Sequence, residues 1–241
     1  MATGLPVNPI AQTDVPNLTE FNRGLNGIVY TGTYNGSRVA VKMPLDPSSK
    51  AQEDEIKKEA GLIRRIGRST FFADYKGEGV RPHPSDTSKT CFALYIEFLE
   101  GPTLKERKGA TPALTVPQKR KILKDCLGAL AKLHSLGIHD AVDSLTPPPP
   151  APNTSIAHGD FHYKNVLVIG NDAKVIDFGK AKENATDTNK NFDMFRFSCV
   201  AYWLFDYNIT QASDPVFKPV YDQCGKGITP SAALAALATW N

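Results

Sequence analysis

From Phe21 to Met43 the apolar positions come in short β-branched runs, Ile28-Val29-Tyr30 and Arg38-Val39-Ala40-Val41-Lys42. That pattern predicts strands. Asn35-Gly36 lies between them, inside Tyr34-Asn35-Gly36-Ser37, and is a hairpin-turn signal. With the glycines at 24 and 27 ahead of them, the stretch reads strand, glycine turn, strand, hairpin, strand. Ala51 to Ile66 changes period: Ile56, Ala60, Ile63 and Ile66 fall on one helical stripe among charges. Cys91 to Phe98 reads as a further strand.

In the second half, Pro117 stands where a helix can start, and Ile122 to Leu136 is an amphipathic helix. Val166-Leu167-Val168-Ile169 and Lys174-Val175-Ile176 are short strands joined by the turn Gly170-Asn171-Asp172-Ala173. Phe192 to Phe205 predicts an aromatic, largely buried helix, and the alanine-rich Ser231 to Trp240 a last one. Residues 1–17 read as a loose leader. Roughly 139–155, with Pro147-Pro148-Pro149-Pro150, reads as a stiff exposed insertion, since such a run fits neither helix nor central strand. The expected organisation is a leader (1–17), a sheet plus one helix (18–99), and a mainly helical half (100–241) holding the proline-rich insertion.

The bulk numbers change little. Hydrophobic residues are 41% and charged residues 22%, ordinary for a soluble protein. A net charge of +3 gives no reason to invoke nucleic acid, though it suits a basic pocket for a polyanion. Cys91, Cys126, Cys199 and Cys224 form no CxxC pair, so reduced thiols in a cytoplasmic protein are expected. No apolar run approaches the ~18 residues a membrane helix needs.

Three clusters carry chemistry. Gly24-Leu25-Asn26-Gly27-Ile28-Val29 is a glycine turn between strands, the kind of backbone that approaches a phosphate closely. Lys42 ends a buried strand, where an ammonium needs an anionic partner; Glu59 on the following helix is the first choice and Glu55 the second. His158-Gly159-Asp160-Phe161-His162-Tyr163-Lys164-Asn165 precedes a strand pair and then Asp177-Phe178-Gly179. That order brings Asp160, Asn165 and Asp177 to one end of the hairpin: hard oxygen ligands plus a base, suited to magnesium and phosphoryl transfer.

In this order, a glycine-rich loop, Val-Ala-Val-Lys, a helix glutamate, HxDxxxxN and DFG, the chain resembles the eukaryotic protein-kinase superfamily over roughly residues 21 to 208. The resemblance implies an α+β, bilobal fold: an N-lobe of antiparallel sheet plus one helix and a reduced, mainly helical C-lobe. It implies an ATP- and Mg2+-dependent phosphotransferase. Gly24 and Gly27 would cover the phosphates, and Val29 and Ala40 would pack on adenine. Lys42, paired with Glu59, would hold the phosphates. Ile96 would be the gatekeeper, and the Glu97 and Leu99 backbones would meet the adenine edge. Asp160 would orient the acceptor hydroxyl, Asn165 and Asp177 would hold metal, and Asp193 would brace the catalytic loop.

The departures bear on the acceptor. Asn22 replaces a lid glycine. Gly159 replaces the arginine that reads activation-loop phosphate, which argues against that switch. Only 15 residues separate Asp177 from Asp193, with no Ala-Pro-Glu. The string around Asp160, with His162 two residues on, also resembles aminoglycoside- and choline-kinase-type enzymes. The short segment after Asp-Phe-Gly also resembles compact kinases of the tRNA-modification-complex type. A protein Ser/Thr kinase is the leading expectation. The alternatives are a small-molecule or atypical kinase and an ATP-binding interaction module. The proline-rich loop and short C-lobe raise the expectation of a regulatory protein partner.

Overall fold

The computed structural model describes residues 5–24, 27–136, 155–210 and 214–240. The chain forms two compact units, Ala2–Leu99 and Glu100–Asn241.

The N-terminal unit is an antiparallel sheet of β1 (Thr19–Arg23), β2 (Gly27–Tyr34), β3 (Ser37–Pro44), β4 (Tyr75–His83) and β5 (Asp86–Glu97), in the order β1-β2-β3-β5-β4, with one long helix, α1 (Lys50–Ile66). Asn35 (φ 48°) and Gly36 (φ 74°) make the β2–β3 turn, as Asn-Gly demands. Ser49 caps α1 by accepting the Gln52 N–H.

Register sorts this sheet into two faces, because directly opposed residues share a face and alternate residues do not. Ile28, Tyr30, Val39, Val41, Met43, Cys91, Ala93 and Tyr95 form one buried cluster, joined by Ile10 and Val15. The opposite face carries Lys42, opposed by Val29 and Leu94, and Ala40, opposed by Thr31 and Ile96.

Ile10 and Val15 correct the expectation of a loose leader. Ile10 N–H donates to Glu78 O (2.9 Å), Glu78 N–H to Asn8 O (2.9 Å), and the buried Arg81 Nη1 to Val15 O (2.9 Å). The same contact explains why β4 was not legible. It carries Gly77 and Gly79, poor strand residues by propensity, because a Cβ at either position would run into Asn8 or Ile10.

The C-terminal unit is built around α3 (Val116–His134) and α4 (Asp187–Leu204), with α2 (Leu104–Gly109), α5 (Phe217–Gln223), α6 (Pro230–Ala236), and two small strand pairs. Those are β7 (Val166–Ile169) with β8 (Asp172–Val175), and β6 (Ile156–Ala157) with β9 (Lys182–Glu183). Leu123, Leu127, Leu130 and Leu133 of α3 are buried, as are Met194, Phe197, Ala201 and Leu204 of α4. Trp240 closes this core, stacked on Phe217 at 4.5 Å, with its Nε1–H on the buried Asp214 carboxylate.

Helix α4 starts five residues before the expected Phe192, because Thr186 and Asn189 form a reciprocal cap. It is also buried on one face only: Phe192, Phe195 and Tyr202 are exposed. The proline-rich insertion lies outside the described residues apart from Ser155, which is buried and hydrogen-bonded to Ala185.

Candidate active site

The segment His158–Asn165 of the C-terminal unit is held from beneath by Asp193, in α4. Asp193 is fully buried and accepts from the backbone N–H groups of His158 (2.7 Å) and Gly159 (2.9 Å). Its Oδ2 also lies 2.9 Å from Nε2 of His134, on α3. One carboxylate therefore ties the loop to both long helices.

His158 forms a second tie. Its Nδ1 accepts the Asp160 N–H (3.3 Å), which leaves Nε2 as the protonated nitrogen, donating to Ile176 O (3.1 Å). Burial drives the His158 pKa below its usual value, against the raising effect of Asp193 and Asp177, so the neutral ring suits both contacts. Phe178 and Phe161 pack on this imidazole at 5.4 and 5.9 Å between ring centroids.

The remaining bonds set the candidate functional side chains. Asn165 Nδ2 donates to Asp160 O (3.0 Å), which reserves Oδ1, the only metal-ligating atom of the amide. Ile176 N–H donates to Asn165 O (2.9 Å), placing the residue before Asp177 against the loop. Asp177 has φ 66°, a left-handed conformation uncommon outside glycine, and its Oδ1 accepts the Gly179 N–H (3.2 Å). Asp160 stays accessible, and its Oδ2 lies 3.6 Å from His162 Nε2.

In the N-terminal unit, Lys42 Nζ meets Glu59 Oε2 at 2.7 Å. Glu59 is buried; Glu55, the second candidate, is exposed. Val29, Ala40 and Ile96 share the Lys42 face of the sheet. Gly24 N–H donates to Gly27 O (2.8 Å), closing the glycine turn, whose Leu25 and Asn26 lie outside the described residues. The Glu97 N–H is committed to Asp74 O (2.8 Å). Sequence reasoning passed over Phe21. It is exposed on β1, 5.0 Å from the Phe98 ring, over which the Arg38 guanidinium also lies at 3.8 Å. An aromatic residue three positions before Gly24 was the available signal.

The chain is 27% identical, over 85% of its length, to a Dictyostelium discoideum protein named "Probable serine/threonine-protein kinase gdt2". A second protein of that organism, also named a probable serine/threonine-protein kinase, is 26% identical over 78% of this chain. The chain is protein-kinase-like. It spans 13% and 19% of those two relatives' own lengths. No family model matches it.

Within this protein-kinase-like chain, Gly159 is the departure with a structural cause. It has φ 78°, and a Cβ there would lie well inside van der Waals contact of the Lys180 carbonyl. The position accepts no side chain, so an arginine cannot stand there. Among the described residues no helix is long and apolar enough to cross a membrane. Nor, among them, do three or more His, Cys, Asp or Glu side chains cluster closely enough to hold a metal alone. Mg2+ asks for less: one or two protein carboxylates, with phosphate oxygens and water completing the shell. The oxygen donors Asn165 Oδ1 and Asp177 fit that demand.

Proposed function

We propose that the chain transfers the γ-phosphoryl group of ATP to a Ser or Thr hydroxyl of a protein, with Mg2+. The observation that carries this reading is the braced loop, in which Asp160 is accessible while the backbone N–H groups of His158, Gly159 and Asp160 and the Asn165 amide are all hydrogen-bonded. Phosphoryl transfer asks a protein for positioning and charge stabilisation, and that rigidity is what positioning requires.

In this reading Lys42, held by Glu59, binds the phosphates. Gly24 and Gly27 cover them, and Val29, Ala40, Ile96 and Phe21 bind the adenine. With the Glu97 N–H spent on Asp74, the donor to the adenine edge is the Leu99 N–H. Asn165 and Asp177 hold Mg2+, which when bound neutralises charge developing on the transferring group. Asp160 accepts the proton of the acceptor hydroxyl, and His162 beside it orients that carboxylate. The cytoplasm fits four free thiols.

The test is incubation of the full chain with Mg2+ and γ-labelled ATP, with a mixture of proteins, beside Asp160→Asn. Label in protein with wild type, reduced about 10²-fold or more in the variant, supports the reading. ATP consumption without protein label transfers the assignment to a small-molecule acceptor, the outcome that the His-Gly-Asp-Phe-His string favours. Neither label nor consumption overturns it.

A further inference from the structure

A pocket of about 270 Å³ opens in the C-terminal unit. Its wall is made by His162, Tyr163 and Lys164 of the loop and by Arg196 and Cys199 of α4, with the buried Phe161 below. No carboxylate lines it; its charged or chargeable nitrogens are those of His162, Lys164 and Arg196.

Arg196 is fixed there. Its Nε donates to Phe161 O at 3.3 Å, and among the described residues its two terminal nitrogens meet no carboxylate or carbonyl. Lys164 likewise has no anionic partner among them. Some other cations of the unit are matched: Lys108 and Lys119 share Asp206, and Arg120 meets Asp214. A guanidinium fork held at a pocket wall with its outer nitrogens open is suited to a carboxylate.

Position and size narrow the ligand further. His162 reaches from this wall to within 3.6 Å of Asp160, so an occupant lies beside the acceptor hydroxyl. The volume falls below the roughly 300–1,000 Å³ of small-molecule sites and is enough for one side chain of a longer chain. We propose that this pocket selects the phosphoacceptor by taking a Glu or Asp side chain next to the acceptor hydroxyl, so that the acceptor is an acidic peptide segment. The acceptor role rests on the phosphotransferase reading; binding of an acidic peptide here does not.

Cys199 supplies a readout independent of turnover. It is exposed in the pocket wall, whereas Cys91, Cys126 and Cys224 are buried, with burial pushing the first and last thiols up to about 11 and about 12. Iodoacetamide therefore modifies Cys199 first. A saturating Glu-rich, Ser-containing peptide should slow that reaction about tenfold, and a Lys-rich peptide of the same length should not. Arg196→Gln and, separately, the exposed Lys164→Gln should each raise the peptide concentration needed about tenfold, the value of one charge-assisted hydrogen bond. Arg196→Lys should restore part of it.

In the transfer assay, the kcat/KM ratio for Glu-flanked over Ala-flanked serine should exceed about ten and fall towards one in both Gln variants. A ratio within one protein is insensitive to general loss of activity. Protection without phosphate transfer retains the acidic site and removes the kinase reading. No protection by the Glu-rich peptide, or equal protection by both peptides, overturns the inference even if the kinase assay succeeds.

Discussion

The two groups of candidate functional side chains are held by different physics. In the N-terminal unit, Lys42 is placed by strand register, opposed by Val29 and Leu94, and meets one buried carboxylate, Glu59. In the C-terminal unit, Asp160 is placed by a chain of hydrogen bonds that starts 33 positions away at Asp193 and passes through two backbone N–H groups and His158. A ladder is redundant, since many bonds fix the same residue. A buried polar network is not, because each member satisfies a group that water cannot reach. Substitutions should therefore cost more stability in the second region than in the first.

Asp193→Ala should show the largest effect. It orphans two backbone donors and the His134 ring in a site with no exposure. At roughly 1–3 kcal/mol for each unsatisfied donor, the expected loss is about 3–5 kcal/mol, read as a lower Tm by scanning calorimetry. A loss under about 1 kcal/mol would show that the loop does not depend on this carboxylate. Gly159→Ala should follow, at about 2–3 kcal/mol, from left-handed strain plus collision with the Lys180 carbonyl. Urea denaturation checks it, and Gly36→Ala, also at positive φ but with open space around it, separates strain from collision.

The same contrast explains what could be read from sequence. The elements of the N-terminal sheet other than β4 announce themselves through period and Asn-Gly, and the helical stripe of α1 points to the Lys42–Glu59 pair. Pairing β4 required knowing that Ile10 crosses Gly77 and Gly79, a contact between residues some 67 positions apart. The order of motifs named Asp160, Asn165, Asp177 and Asp193. It did not reveal that His158 bonds at both ring nitrogens, or that Arg196, three residues past Asp193, faces a pocket with His162. Helix α4 was expected to be buried because it is aromatic. Composition cannot say which of its rings point outward, and Phe192, Phe195 and Tyr202 do.

A milder probe of the polar network is pH. His158 is held neutral by burial, so its pKa in the folded chain lies below the unfolded value of about 6.5. Below that pH the unfolded chain binds the proton first. Stability attached to His158 is then complete above about 6.5 and is lost as pH falls towards the folded pKa. Unfolding free energy should drop by up to about 1.4 kcal/mol per pH unit from this ring alone. His158→Asn keeps a donor and an acceptor but cannot titrate. It should lower stability at pH 7 and flatten the slope between pH 6.5 and 5; parallel slopes would place the titrating group elsewhere.

The smallest stability effect is expected where the charge is most conspicuous. Glu59→Gln replaces a carboxylate by an amide whose oxygen can still accept from Lys42 Nζ, and Lys42 is itself partly solvated. Truncating a fully buried pair costs 3–5 kcal/mol because a charge is left without solvent or partner; here the ammonium keeps both, and about 1 kcal/mol or less is expected. Turnover should respond differently. A lysine no longer fixed by a carboxylate samples other rotamers, and in the proposed phosphotransferase reading phosphate positioning depends on its place, so kcat/KM for ATP should fall about tenfold or more while Tm moves by only a few degrees. The pairing of a small thermal shift with a large kinetic loss is the decisive result, because it assigns Lys42–Glu59 to positioning and leaves the sheet register to carry the fold. A thermal loss as large as that of Asp193→Ala would instead make the pair a structural element of the same kind as the C-terminal network.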